Sequence, residues 1–371
     1  MQVRVLKVGG SCLAGAADYA ALSGRARAEG AGVVVVSACR GVTDALVACV
    51  DRAERGDPPA CQDLARLHLD LIAGLPVAER EEAGADLEGL LEELARRLEA
   101  LAGAGAPDPW ARDALLGLGE RLSLVVALAH ARAGGRPARG HVAEEVGILT
   151  TAEPGAARVL PEGAALARAR LAPRPGLDLV AGYVGRTPEG RWTTLGRGGS
   201  DVTAVFLAWA LGGEAILCKD TPGILSADPA LVGAARPVAR LEPHQALALA
   251  QGGSPVVALA ALELAAERGV LLSVRPWRGG GPGTQVGPGP GAGRAITCRA
   301  TPGGARVTLA GGGVEALLPR VRSLLAGVGE TPLQVTSAAG VVTLEVTSGA
   351  TALRALHPLC LGLNSGPVSA E

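Results

Sequence analysis

Two hydrophobic rhythms divide the chain. Short, continuous apolar runs come first: "VRVLKVGGS" (3–11) and "AGVVVVSAC" (31–39) are β-branched, of strand length and closed by small residues. Runs of this kind with helical stretches between them predict central strands of a parallel sheet covered on both faces. From about residue 46 to 133 the period becomes helical. In "LEGLLEELARRLEALAG", Leu87, Leu90, Leu91, Leu94, Leu98 and Leu101 fall on one face with Glu and Arg opposite. This region is expected to form a helical cap beside the sheet, with its leucines in the core. Strand patterns resume at "GHVAEEVGILTT", "LDLVAGYVG", "RWTTLG", "EAILCKD" and "GVLLSVRPW", with helices expected at 200–211, 244–250 and 258–267. The Gly/Pro-rich run "RPWRGGGPGTQVGPGPGAGRA" predicts a hinge, placed at 291–304. Beyond it, 305–371 reads strand, helix, strand, strand, helix, the order of a small α+β module.

Composition narrows the classes. A length of 371 residues and 48% hydrophobic content allow one large domain and a smaller one. A formal net charge of −1 and no basic stripe argue against nucleic acid as a partner. Cys12, Cys39, Cys49, Cys61, Cys218, Cys298 and Cys360 form no C-x-x-C pair and suit reduced thiols. No signal-like start or membrane-length apolar run is evident, so a cytoplasmic protein without a membrane partner is expected. None of the five histidines stands in a constellation that suggests chemistry; His68 and His130 are expected in the cap or at the surface. Lysine occurs only at Lys7 and Lys219, which marks both as positions where arginine would not serve.

Three Gly/Ser-rich turns follow three strands: Gly9-Gly10-Ser11, Ser37 to Gly41, and Gly196 to Ser200. In an open α/β sheet such turns gather at the carboxyl ends of the strands, where backbone N–H groups and helix N-termini bind anions. Lys7 stands just before the first turn as a point charge suited to a phosphoryl oxygen. Neither a P-loop nor a strand-linked G-x-G-x-x-G is present. Together these features point to phosphate chemistry outside those two motif classes.

"KVGGS", "VVVVSACRGVTD", "GLGERLS", "GILTTAEPGAARV", "AGYVGRTPEGRWTTLGRGGSDVTAVFLAWALGG" and "KDTPGILSADP" occur in the order of the motifs of aspartokinases. The chain therefore resembles that family, within the amino-acid kinase superfamily, over roughly residues 1–290. The resemblance implies a three-layer α/β/α kinase domain with a mainly parallel sheet, followed by an ACT-like module at 305–371. It implies phosphoryl transfer from ATP to the side-chain carboxylate of L-aspartate, with Mg2+ held mainly by nucleotide and water and no protein metal site. Lys7 would hold the transferring phosphoryl group and Asp201 would orient that lysine. Arg197 would grip the substrate α-carboxylate and Glu120 its α-amino group. Thr43, Tyr183 and Ser200 would complete the aspartate site. Gly9, Gly10, Ser11, Ser37, Gly198, Gly199, Lys219 and Asp220 would serve the phosphates and nucleotide.

The nucleotide half departs from the family pattern. Lys219 replaces a threonine, Leu225 a tyrosine, Ala230 an arginine, and Pro255 a second phosphate-binding lysine. Three readings stay open: an active kinase in which Lys219 restores the missing charge, a kinase of another small carboxylate or nucleotide, and a catalytically weak paralogue serving as an amino-acid-binding regulatory subunit. Residues 305–371 leave room for one ACT module where the family carries two. A homodimer or higher homo-oligomer is expected, while lysine or threonine feedback does not carry over.

Overall fold

The computed structural model describes residues 3–57, 61–104, 106–253 and 256–362, which form two compact units meeting in sequence at Cys218 and Lys219. The first contains β1 (Arg4–Val8), α1 (Ala16–Ala28), β2 (Val33–Val36), α2 (Val42–Ala53), α3 (Gln62–Ile72), α4 (Val77–Ala104), α5 (Pro109–Leu116) and α6 (Leu118–Ala133). It continues through β3 (Ala138–His141), α7 (Ala164–Arg170), β4 (Leu177–Ala181), β5 (Val184–Arg186), β6 (Trp192–Thr194), α8 (Gly199–Ala210) and β7 (Glu214–Lys219).

Its sheet runs β3-β4-β2-β1-β7 with every pair parallel, and helices lie on both sides. The four valines of β2 are all buried, as a strand covered on both faces requires. The expected cap is only partly separate: α6 packs directly on β2, β3 and β4, while α4 packs on α6. Leu87, Leu94, Leu98 and Leu101 are buried, and Leu90 and Leu91 half-buried. His68 and His130 are buried rather than superficial, each with a ring nitrogen bonded to a backbone carbonyl. Pro109–Ala133 has the length and composition of a membrane span, yet 78% of its most apolar window is buried inside the fold.

Two expected strands are divided. "GHVAEEVGILTT" gives only the end of β3 before a 3-10 turn at Ala143–Val146. "LDLVAGYVG" breaks into β4 and β5 because Tyr183 turns through φ 73°, a left-handed conformation unusual for a bulky residue. β5 and β6 then form an antiparallel hairpin.

The second unit contains β8 (Arg240–Leu241), α9 (Pro243–Gln251), α10 (Leu259–Arg268), β9 (Leu272–Pro276), β10 (Thr284–Val286), β11 (Arg294–Thr301), β12 (Gly304–Gly311), α11 (Leu318–Gly327), β13 (Gln334–Ala338), β14 (Val341–Val346) and α12 (Gly349–Cys360). β10 runs antiparallel to β9 and parallel to β8. The last four strands make an antiparallel sheet in the order β11-β12-β14-β13. The stretch 291–304, expected as a hinge, therefore contains a strand: "RAITCRAT" is rich in β-compatible residues and pairs along its length with β12. The sheet and its two helices share a core that includes Ile296, Val307, Leu344, Leu353 and also Ala227.

Candidate active site

The carboxyl ends of β1, β2 and β4 in the first unit open onto one cleft of about 610 Å³. Lys7, in β1, lines it and is 5% exposed. Its Nζ lies 2.8 Å from Oδ1 of Asp201, a buried residue in the first turn of α8. Burying both charges carries a desolvation cost that only close pairing offsets. The Gly9–Ser11 turn wraps the lysine: a Cβ on Gly9 would stand 3.5 Å from Nζ, and one on Gly10 would meet the Ala38 carbonyl at 2.9 Å. Gly10, Ser11 and Ser37 line the cleft beside it, and the Arg40 guanidinium donates to the Ser11 carbonyl.

Thr43 enters from the first turn of α2, which Gly41 starts at φ 80°. Glu120 enters from α6 and is 3% exposed. One carboxylate oxygen accepts the Ala38 N–H at 3.1 Å, and Oε2 has no hydrogen-bond partner among the described residues. Burial pushes this carboxyl up to about 8, against the opposing pull of the Ala38 N–H and the Lys7 charge. The glycines of "GLGE" have a packing reason: a Cβ on Gly117 would lie 2.5 Å from Val184 Cγ1, and one on Gly119 would lie 3.1 Å from Ala38 Cβ. They let α6 approach the loops closely enough to deliver Glu120.

The far wall comes from the β6–α8 turn. Gly196 and Gly198 adopt φ 69° and 75°, where glycine is favoured. A Cβ on Gly199 would meet Tyr183 Cδ2 at 2.9 Å. Arg197, exposed between these glycines, has no hydrogen-bond or ion-pair partner among the described residues. Ser200 and Tyr183 complete the wall; burial pushes the Tyr183 phenol up to about 12.

The cleft thus gathers Lys7, Gly10, Ser11, Ser37, Thr43, Glu120, Tyr183, Arg197, Gly198, Gly199 and Ser200, with Asp201 and Gly9 immediately behind Lys7. Lys219, the last residue of β7 and the first beyond the first unit, and Asp220 after it are not among the residues lining the cleft. Leu225 lines a separate cavity of about 190 Å³ within the second unit, beside Thr221, Asp228 and Cys298. Nearby, the Ala230 N–H bonds Asp228 Oδ1, and Pro255 lies outside the described residues.

Sequence inspection overlooked Arg112 and Asp113, which α5 brings to the cleft. Arg112 is paired with Asp51 and Glu54 of α2, and Asp113 is 2% exposed. The available signal was an adjacent charged pair in the apolar run leading to "GLGE".

The amino acid kinase family profile matches residues 2–275. An aspartokinase of Thermus thermophilus is 40% identical over 176 residues, covering 47% of this chain and 43% of that protein. The aspartokinase of Corynebacterium efficiens is 38% identical over 191 residues, 50% of this chain and 45% of that one. The chain thus spans less than half the length of these curated relatives. Among solved structures, E. coli aspartokinase III in complex with aspartate and ADP aligns with 95% of this chain and 80% of its own, at a TM-score of 0.71 and 26% identity. The same enzyme with lysine and aspartate gives a TM-score of 0.72, covering 98% and 84%.

Proposed function

Because the chain belongs to the amino acid kinase family, we propose that it transfers the γ-phosphoryl group of ATP to the side-chain carboxylate of L-aspartate, giving 4-phospho-L-aspartate and ADP. The observation that carries this reading is the charge layout of the cleft: an Arg197 and a buried Glu120 oxygen without partners among the described residues, and the Lys7–Asp201 pair. The first two complement the carboxylate and ammonium of an amino acid, and the third supplies a fixed cation for a phosphoryl oxygen.

Arg197 pairs with the substrate α-carboxylate by charge-assisted hydrogen bonds. Glu120 Oε2 accepts from the α-ammonium, whose arrival favours the ionised carboxylate that burial disfavours. Thr43, Tyr183 and Ser200 border the acceptor. The side-chain oxygen then attacks the γ-phosphorus as its bond to the ADP oxygen breaks. A carboxylate is already a nucleophile, so Asp201 holds Lys7 in place and removes no proton. Lys7 neutralises charge on the transferring group, the main form of catalysis open to phosphoryl transfer. The Gly9–Ser11 and Gly198–Gly199 backbones and Ser37 serve the phosphates, and Lys219 with Asp220 belongs to the nucleotide side. Mg2+ would be carried mainly by the nucleotide and water, where it would neutralise phosphate charge.

The small antiparallel sheet with α11 and α12 is assigned as a single ACT-like regulatory or dimerisation module, supported by its strand order and exposed edge strand β13. A homodimer or higher homo-oligomer, a cytoplasmic location and a place at the entry to lysine, threonine and methionine synthesis, or to a specialised pathway using aspartyl phosphate, complete the proposal. Calorimetric titration tests the acceptor site directly. L-Aspartate is expected to bind the wild type and to lose about tenfold or more in affinity in Arg197→Ala, a loss scaled to a charged hydrogen bond. Equal binding of both proteins would contradict the assignment.

A further inference from the structure

Asp113 makes three hydrogen bonds from a buried position at the wall of the cleft. Its Oδ2 accepts the Gly155 N–H at 2.8 Å and the Thr194 N–H at 2.7 Å, and Oδ1 accepts the Thr194 hydroxyl at 3.0 Å. One carboxylate from the middle of α5 therefore joins two segments distant in sequence, the Gly155 turn and the last residue of β6. These segments also touch each other. The Ala157 N–H bonds the Thr194 carbonyl at 3.0 Å, and a Cβ on Gly196 would lie 3.2 Å from the Gly155 carbonyl. Thr194 is three residues from Arg197, and between them the chain passes through the left-handed Gly196. On its other side the Leu195 N–H is held by the Tyr183 carbonyl at 2.8 Å. The arginine turn is thus anchored at its root by Asp113 and Tyr183, while Arg197 itself has no partner among the described residues.

We infer that Asp113 is a positioning residue for the acceptor site, fixing the Arg197 turn against the Gly155 turn through its three hydrogen bonds. The inference rests on the proposed acceptor role of Arg197. A flexible glycine turn carrying an arginine samples many directions, and ordering it before substrate arrives lowers the entropic cost of binding. The hydrogen bonds, rather than the charge, are the operative feature. An asparagine in place of Asp113 would present its amide oxygen to the two backbone N–H groups and its NH2 to Thr194, whose hydroxyl can accept instead of donate. Asp113→Asn should therefore preserve the anchor, and Asp113→Ala should release it.

Hydrogen exchange and steady-state kinetics on the full chain test this together. In Asp113→Ala, amides in 153–157 and 194–199 should lose protection while those in β1, β2 and β4 keep it. KM for aspartate should rise between about 10- and 100-fold, the scale of a misplaced binding group, with KM for ATP unchanged. Asp113→Asn should restore both readouts. In an Arg197→Ala background, Asp113→Ala should add little to KM for aspartate, because the effect acts through Arg197. Should Asp113→Ala fail to fold, Thr194→Val, which removes one of the three bonds, takes its place with a smaller shift in the same readouts. Unchanged exchange in the two turns, equal rises in both KM values, or an asparagine variant as impaired as the alanine one would each overturn the inference. If the wild type does not phosphorylate aspartate, the functional proposal fails by itself, and the exchange result still decides whether Asp113 anchors the turn.

Discussion

Lys7 is one of two lysines in a chain that otherwise uses arginine, and the fold buries it against Asp201. Its ammonium stands 2.8 Å from the Asp201 carboxylate as a compact point charge, a position that a longer, planar guanidinium would not reproduce. Lys7→Arg is expected to lower kcat by about 10²–10³-fold without loss of helix content by circular dichroism. Burial pushes the Glu120 carboxyl up to about 8, and in the proposed acceptor site the ionised form is the one that would take the ammonium. kcat/KM for aspartate should therefore rise with pH and level off above about 8, and Glu120→Gln should remove that limb. The same shift predicts a stability effect. Between the ordinary carboxylate range and about 8 the folded state holds a proton the unfolded state has released, so stability falls as pH rises through this window. Thermal melts of Glu120→Gln should lack that part of the decline. The importance of Lys7 could be read from its rarity and its Gly-Gly neighbour. The titration of Glu120 could not, because its burial is created by Ala38 and α6 meeting across the fold.

Among the elements, β1 and β2 were legible because strands buried on both faces need no alternation, and unbroken valine is itself the signal. The bend at Tyr183 was not: nothing local marks a tyrosine for φ 73°, which is held by the Thr203 hydroxyl accepting its N–H at 3.2 Å and by Leu195 donating to its carbonyl. β11 was missed for the opposite reason, since the glycines and prolines before it masked a strand whose partner lies in β12. Asp113 illustrates the limit for side chains, because its three donors come from residues 42 and 81 positions away. Packing at the α5–α6 corner gives a direct test. Gly117→Ala would place a methyl 2.5 Å from Val184 Cγ1 and should destabilise the fold by about 1–3 kcal/mol in urea unfolding, the usual cost of overpacking. Adding Val184→Ala should recover part of that loss, because it removes the atom in conflict.

At the scale of the whole molecule, the sequence predicts the kinase-like sheet and a small module after it, but places their boundary too simply. The hydrophobic core of the small antiparallel sheet takes in Ala227 and is flanked by Leu231, Val232 and Ala235, residues ahead of α9. Ser226 bonds His357 of α12 at 2.9 Å, and the Ile296 N–H bonds the Ser226 carbonyl at 2.8 Å. A chain ending at residue 304 would therefore strip β11 of its partner and uncover that apolar loop. Such a truncation should show lower soluble yield and stronger binding of a hydrophobic dye than the full chain. Nothing in the primary sequence links Ser226 to His357, since the contact depends on how α12 covers the sheet.

Phosphoryl transfer to aspartate is tested most directly by trapping the acyl phosphate as its hydroxamate with Mg2+-ATP and L-aspartate. The arrangement of Lys7, Asp201, Glu120 and Arg197 predicts aspartate-dependent hydroxamate, little product with glutamate, and in Arg197→Ala a reaction that needs far more aspartate to reach the same rate. Saturable binding of aspartate and ATP with no hydroxamate above the aspartate-free control would contradict the claim and leave an amino-acid-binding paralogue in its place.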